Sequence, residues 1–133
     1  MSNITAFDPH EHHIRLVGSM KTSDDVEYEF RAILDTGAPW TEFSDQYLLA
    51  MGMVTGKPSS VSIKDGLQTQ KYGKLILPQI QICNHYIIDM PIYVSHFEKY
   101  WGVDALIGLD FFRRFRVTID YREKQIVTEP LAA

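Results

Sequence analysis

The residues best placed to do chemistry are Asp35, Thr36 and Gly37, which directly follow the apolar-ended segment 30–34. A carboxylate at the end of a β-type hydrophobic run can be held at the floor of a cleft. The glycine allows a tight loop, and the threonine hydroxyl can both donate and accept a hydrogen bond that holds it. Because Asp-Thr-Gly is also an ordinary turn sequence, the tripeptide alone predicts no activity.

A second feature lies downstream, in residues 105–112, and gives the tripeptide more weight. This segment reads Ala-Leu-Ile-Gly-Leu-Asp-Phe-Phe, and the strand-like residues 115–121 follow it. Together, the two segments resemble the retropepsin-like aspartic proteases, in which Asp-Thr-Gly follows an apolar strand and two apolar residues with a glycine come later. The resemblance extends over residues 14–127, nearly the whole chain.

Composition restricts the classes of protein to which the chain can belong. Its 133 residues, 45% hydrophobic and 23% charged, are typical of one soluble globular domain. The net charge of −4 and the isolated pair Arg113-Arg114 give no reason to expect nucleic-acid binding. The apolar stretches are too short to span a bilayer, and the polar N-terminal residues do not have the pattern of a secretory signal.

The cysteine count bears on the compartment. Cys83 is the only cysteine, which excludes an intrachain disulfide and fits a reducing compartment, so we expect a cytoplasmic protein without membrane contact. Cys83 lies in an apolar strand-like run, where a small buried residue is a simpler interpretation than a nucleophile.

Many short strands and two short helices predict an all-β protein built on a small, closed barrel. We expect residues 1–13 to form a mobile tail and residues 14–133 to form the domain, of retropepsin type by the resemblance. The predicted strands are residues 14–17, 26–34, 61–63, 70–72, 75–77, 80–82, 86–88, 91–94, 117–121 and 125–128.

Local signals predict the helices and one hairpin. Ser44 is a plausible N-cap for a helix over residues 47–51, which Gly52 would end. A brief second helix is expected over residues 111–115. Asp65-Gly66 lies between strand-like segments and predicts a hairpin turn.

Aspartic proteolysis requires two carboxylates that share one proton and hold one water. Two carboxylates about 3 Å apart cannot both ionise, so they titrate as a pair. This chain has a single Asp-Thr-Gly, and Asp104, Asp110 and Asp120 are not followed by Thr-Gly. The second carboxylate must therefore come from an identical subunit, which a two-fold homodimer would supply.

The resemblance implies roles for individual residues. Asp35 would be the catalytic acid, Thr36 would hydrogen-bond across the dimer axis, and Gly37 would lie along the substrate backbone. The loop would be supported by Thr36, Gly37, Leu106, Ile107 and Gly108, and the peptide would be contacted by Gly37, Ala38, Trp40, Asp65 and Gly66. Asp65-Gly66 would form a flap over an extended peptide, which would bind as an added β-strand. No cofactor or metal is implied.

Two other functions remain open. Pro39, Trp40 and Glu42 favour a catalytically inactive module that binds peptides or proteins, because a charged Glu42 facing the cleft or a Trp40 platform would alter a peptide site. A domain whose purpose is its two-fold interface is the other alternative.

The histidines do not change this interpretation. His10, His12 and His13 lie beside Glu11, and imidazoles can bind zinc or nickel. Their spacing is not that of a helical metallohydrolase site, so we expect no metal. Phe97, Tyr100 and Trp101 are expected in the core or at its rim.

Overall fold

The computed structural model describes residues 2–53 and 71–131. The strands are β1 (Asn3–Ala6), β2 (Arg15–Lys21), β3 (Glu27–Leu34), β4 (Glu42–Ser44), β5 (Lys71–Ile82), β6 (His85–Ser95), β7 (Ala105–Ile107), β8 (Phe115–Asp120) and β9 (Gln125–Pro130). The helices are α1 (Asp45–Ala50), α2 (Leu109–Phe112) and a 3₁₀ turn, Lys99–Trp101.

Six strands of the described residues close a barrel in the order β2-β3-β7-β4-β6-β5. Alternation along β2 and β3 sends Leu16, Met20 and Phe30 into its interior, where all are buried. Phe30 meets Phe43 of β4 edge to face, with ring centroids 4.9 Å apart. This architecture confirms the predicted all-β barrel with short helices.

Two parallel pairings bring distant segments together at one end of the barrel. β3 pairs parallel with β7, with Leu34 opposite Ile107, and β4 pairs parallel with β6. β7 also pairs antiparallel with β4, with Glu42 opposite Leu106. The residue that follows β3 therefore emerges beside the residue that follows β7, which unites the two sequence motifs.

The N-terminal residues differ from the mobile tail that we expected. Asn3–Ala6 form β1, which pairs antiparallel with β9 in a separate sheet of order β1-β9-β8. Phe7 is buried after the strand, and Asn3 Nδ2 donates to the carbonyl oxygen of Asn84 at 3.2 Å. The partner strand β9 is far from β1 in sequence, so no local pattern around residues 3–6 predicts the pairing.

The hairpin of β5 and β6 is longer than predicted, because it joins segments that we read as separate short strands. Leu77 pairs with Met90 and Gln79 with Ile88, so Pro78 stands opposite Asp89, whose φ is 53°. The two strands continue past the position of Pro78 and Asp89, although the proline has no amide to donate there. Cys83 and Asn84, both at positive φ, make the tight turn.

The helices agree with the sequence in one case and differ in the other. Ser44 Oγ accepts from Tyr47 N at 3.4 Å and caps α1, as predicted. The second helix begins earlier than predicted, at Leu109, and Phe115 already belongs to β8. None of the described helices is both long and apolar enough to cross a membrane.

Candidate functional site

Asp35 lies directly after β3, half-buried at the end of the barrel. Its amide donates to the carbonyl of Ile107 at 2.9 Å, which extends the β3–β7 ladder by one residue. Its Oδ1 accepts from the Gly37 amide at 3.1 Å, and its carbonyl accepts from the Ala38 amide at 3.1 Å. The hydrogen bonds within the loop thus fix the orientation of the Asp35 carboxylate.

Gly108 lies against the segment that follows the Asp35 loop. A Cβ on Gly108 would come within 2.7 Å of the carbonyl oxygens of Ala38 and Trp40. The next residue, Leu109, donates its amide to the Ala38 carbonyl at 2.8 Å. The approach of two backbones at this distance requires glycine.

Thr41 and Asp110 complete this contact, and neither was predicted from the sequence as a residue of the site. The Thr41 hydroxyl accepts from the Gly108 amide at 3.1 Å and donates to Asp110 Oδ1 at 2.7 Å. The Thr41 amide donates to Asp110 Oδ2 at 3.0 Å. The only available signal in the sequence was a carboxylate directly inside the late motif.

The other residues predicted for the site fall into three groups. Thr36 and Gly37 are exposed at the loop tip, whereas Ala38 is buried. Ile107 is fully buried behind Asp35, and Leu106 faces the cavity beside it. Asp65 and Gly66, the expected flap, lie outside the described residues.

A cavity of about 430 Å³ opens beside Asp35. Ile33, Leu34, Trp101, Val103 and Leu106 give it apolar walls, and His13 and Arg15 give it a basic rim. Arg15 is fixed there by a hydrogen bond from Nη1 to the Gly102 carbonyl at 3.3 Å, and its Nε lies 3.6 Å from Glu11 Oε2. Trp101 therefore borders this cavity and lies at the rim of the core, one of the two positions expected for it.

Among the described residues that line this cavity, Asp35 is the single carboxylate. One carboxylate can accept or donate a proton, but it cannot do both for one water in the same step. The cavity has room for a large side chain of a bound peptide, next to the acid. The described lining of the cavity thus supplies one of the two carboxylates that aspartic proteolysis requires.

Glu42 does not place a charge in an open cleft. It is fully buried in β4, where Ser95 Oγ donates to its Oε1 at 2.7 Å. This removes one of the reasons for the binding-module alternative, while Trp40, which is 42% exposed, keeps the other.

Two potentially reactive side chains outside the cavity, Cys83 and Tyr47, are held in their neutral forms. Burial raises the pKa of the Cys83 thiol, which disfavours the thiolate that a nucleophile requires. Burial, reinforced by Asp104, raises the pKa of Tyr47, whose hydroxyl donates to the Glu29 carbonyl at 2.9 Å. No group of three or more His, Cys, Asp or Glu residues in residues 2–53 and 71–131 is arranged to hold a metal ion.

No family model and no curated protein matches this sequence. Solved structures do match it. A retropepsin-like aspartic protease from Rickettsia conorii superposes with a TM-score of 0.68 and 15% identity over 96% of this chain and 89% of that one. The retroviral protease-like domain of Ddi1 from Leishmania major superposes with a TM-score of 0.58 and 18% identity over 92% of this chain and 97% of that one. At these identities the likeness establishes the fold, and the chain has the fold of the retropepsin-like aspartic proteases.

Proposed function

We propose that this chain is one subunit of a homodimeric aspartic endopeptidase. The observation that supports the proposal most directly is the position of Asp35, fixed by the ladder to Ile107 and by the Gly37 amide, beside a cavity large enough for a side chain. The exposed tip of the same loop leaves room for a second copy of the acid to approach across a two-fold axis.

In the proposed reaction the two copies of Asp35 share one proton and hold one water between them. The ionised carboxylate removes a proton from the water as the oxygen of the water attacks the peptide carbonyl carbon. The protonated carboxyl donates to the carbonyl oxygen and gives a tetrahedral diol. The carboxyl that took the proton of the water then gives a proton to the amide nitrogen, while the other carboxylate removes a proton from one hydroxyl of the diol. The C–N bond breaks, an amine and a carboxylic acid are released, and the two carboxylates again share one proton.

The surrounding residues would position the peptide. Gly37 and Ala38 would lie along its backbone, and the cavity walled by Trp101 and Leu106 would take a large side chain next to the scissile bond. The basic rim at Arg15 would accommodate a polar end on that side chain. The cover expected from Asp65-Gly66 stays a prediction.

The test is cleavage of a peptide library by the wild type and by Asp35→Asn, read by mass spectrometry from acid to neutral pH. Wild type should cleave, and Asp35→Asn should lose at least about 10³-fold in rate because the remaining amide cannot act as a base. Asp24→Asn, an exposed acid in the turn between β2 and β3, is the matched control and should cleave normally. Equal cleavage by Asp35→Asn and wild type would contradict the mechanism.

A non-catalytic peptide-binding module is the second candidate, favoured by the exposed indole of Trp40 directly after the Asp35 loop. In that case peptides should bind without turnover, and Asp35→Asn should leave their affinity unchanged. Sedimentation of the same samples separates the two outcomes further, since an inactive monomer at high concentration would count against the proposed dimer.

A further inference from the structure

A second cavity, of about 340 Å³, lies around Trp40, and no residue of 2–53 or 71–131 lines both it and the cavity beside Asp35. We call it the Trp40 cleft, and the residues used below are Trp40, Lys74, Pro91, Tyr93, Asp110 and Arg114. Trp40 comes from the segment after the Asp35 loop, Lys74 from β5, Pro91 and Tyr93 from β6, and the other two from the α2 region. Four parts of the chain thus converge on one concave surface.

The cleft has an aromatic wall. The rings of Trp40 and Tyr93 have centroids 5.9 Å apart at an interplanar angle of 57°, and Pro91 continues this surface. Trp40 keeps 42% of its surface exposed despite this contact. Exposed tryptophan beside tyrosine is a common way to bind the backbone and apolar part of a peptide, because each ring offers a large rigid face.

Two cations border the aromatic wall. Lys74 Nζ lies 5.1 Å from the centroid of the Tyr93 ring, and Arg114 Nε donates to the Asp110 carbonyl at 3.1 Å. Among the described residues, neither cation takes part in an ion pair. The described part of the cleft therefore holds two cations that no ion pair within it neutralises.

Asp110 is the single carboxylate among the described residues that line the cleft, and it is already engaged. Its two oxygens accept from the Thr41 hydroxyl at 2.7 Å and the Thr41 amide at 3.0 Å. The described lining of the cleft, with two cations and one carboxylate, consequently carries a net positive charge, on a chain whose net charge is −4. This local reversal of sign favours an anionic ligand.

We propose that the Trp40 cleft binds an acidic residue of a peptide at a distance from the Asp35 site. The peptide backbone would pack on Trp40 and Tyr93, and its carboxylate would lie between Lys74 and Arg114. Continuity with the Asp35 loop supports this occupant, since the carbonyl of Pro39, the residue before Trp40, accepts from the Asp110 amide at 3.1 Å. The identity of the peptide as a substrate rests on the proposed function, whereas the preference for acid rests on the cleft.

The test measures peptide binding to the full-length Asp35→Asn protein by fluorescence anisotropy. The probes are fluorescein-labelled peptides with one common apolar core, extended on one side by glutamate, glutamine or lysine residues. The glutamate peptide should bind about tenfold more tightly than the glutamine peptide at low salt, and added salt should reduce the difference. The lysine peptide should bind most weakly.

Two double variants of equal charge change locate the effect. Lys74→Gln with Arg114→Gln should abolish the preference for glutamate. Arg113→Gln with Arg116→Gln, two exposed cations outside the cleft, should retain it. Equal affinities for the glutamate and glutamine peptides, an equal loss in both double variants, or no binding of any peptide would overturn the proposal.

These outcomes are distinguishable from failure of the proposed protease. Asp35-dependent cleavage by wild type with no effect of flanking glutamate would leave the protease in place and remove the cleft. Glutamate-selective binding that depends on Lys74 and Arg114, without cleavage by wild type, would retain the cleft and remove the protease.

Discussion

The base and the tip of the Asp35 loop differ in the contacts that hold them in place. At the base, Gly108, Thr41 and Asp110 are joined by three hydrogen bonds and a close backbone contact. At the tip, Thr36 and Gly37 are exposed, and the hydrogen bond from the Gly37 amide goes back to Asp35 itself. Contacts within the chain therefore stabilise the base, whereas the tip is exposed, as the proposed dimer would require.

Gly108→Ala should produce the largest effect, because it damages the base. The new Cβ would meet backbone carbonyls at 2.7 Å, which cannot move without displacing the loop. We expect a loss of about 3 kcal/mol in the free energy of unfolding, measured by urea denaturation. Gly73→Ala is the matched control, since its Cβ would meet Val94 at an ordinary 3.6 Å, and it should change stability by less than about 1 kcal/mol. Similar losses in both variants would contradict the distinct role of the base.

Thr36→Val should affect the tip and leave the base intact. Since Thr36 is exposed, the variant should keep the unfolding free energy of the subunit within about 0.5 kcal/mol. If the hydroxyl bonds across the proposed dimer axis, the protein concentration needed for half-maximal cleavage should rise about tenfold. Thr118→Val, at an exposed position of β8, should change neither quantity. A Thr36→Val protein that unfolds as easily as Gly108→Ala would contradict the difference between the tip and the base of the loop.

A third region for comparison is the contact between His85, the first residue of β6, and the separate sheet β1-β9-β8. His85 stacks on Phe115 with centroids 4.1 Å apart, and its Nε2 lies 2.8 Å from Thr128 Oγ1. Burial lowers the pKa of His85, against the opposing effect of the Thr128 hydrogen bond. The neutral ring is thus favoured in the folded state, so its contribution is complete above the unfolded pKa of about 6.5 and is lost as the pH falls through the folded value.

Between pH 7.5 and pH 5.5 the wild type should therefore lose more unfolding free energy than His85→Gln, and this should be the smallest of these effects. Urea denaturation at the two pH values measures it. The control, His12→Gln, removes an exposed histidine and should behave as the wild type does. An identical pH dependence in wild type and His85→Gln would show that the sheet is attached independently of this ring.

The sequence predicted those features whose signals are local. Ser44 predicted the start of α1, and the apolar run before Asp35 predicted the end of β3. The many short strands predicted the barrel. Features formed by distant partners were missed: β1 depends on β9, and Thr41 depends on Asp110. A hydrogen bond between residues far apart leaves no periodic pattern in either segment, so only the folded chain reveals it.

The pairing of β1 with β9 has a consequence for how the molecule is made. Both this pairing and the β3–β7 ladder join segments that are far apart in sequence, which gives the fold a high contact order and favours slow folding. Asp35 can acquire its bond to Ile107 only after β7 has also been synthesised. A nascent chain that ends before β7 therefore carries the acid without the loop geometry, and the site is assembled only after β7 has paired with β3.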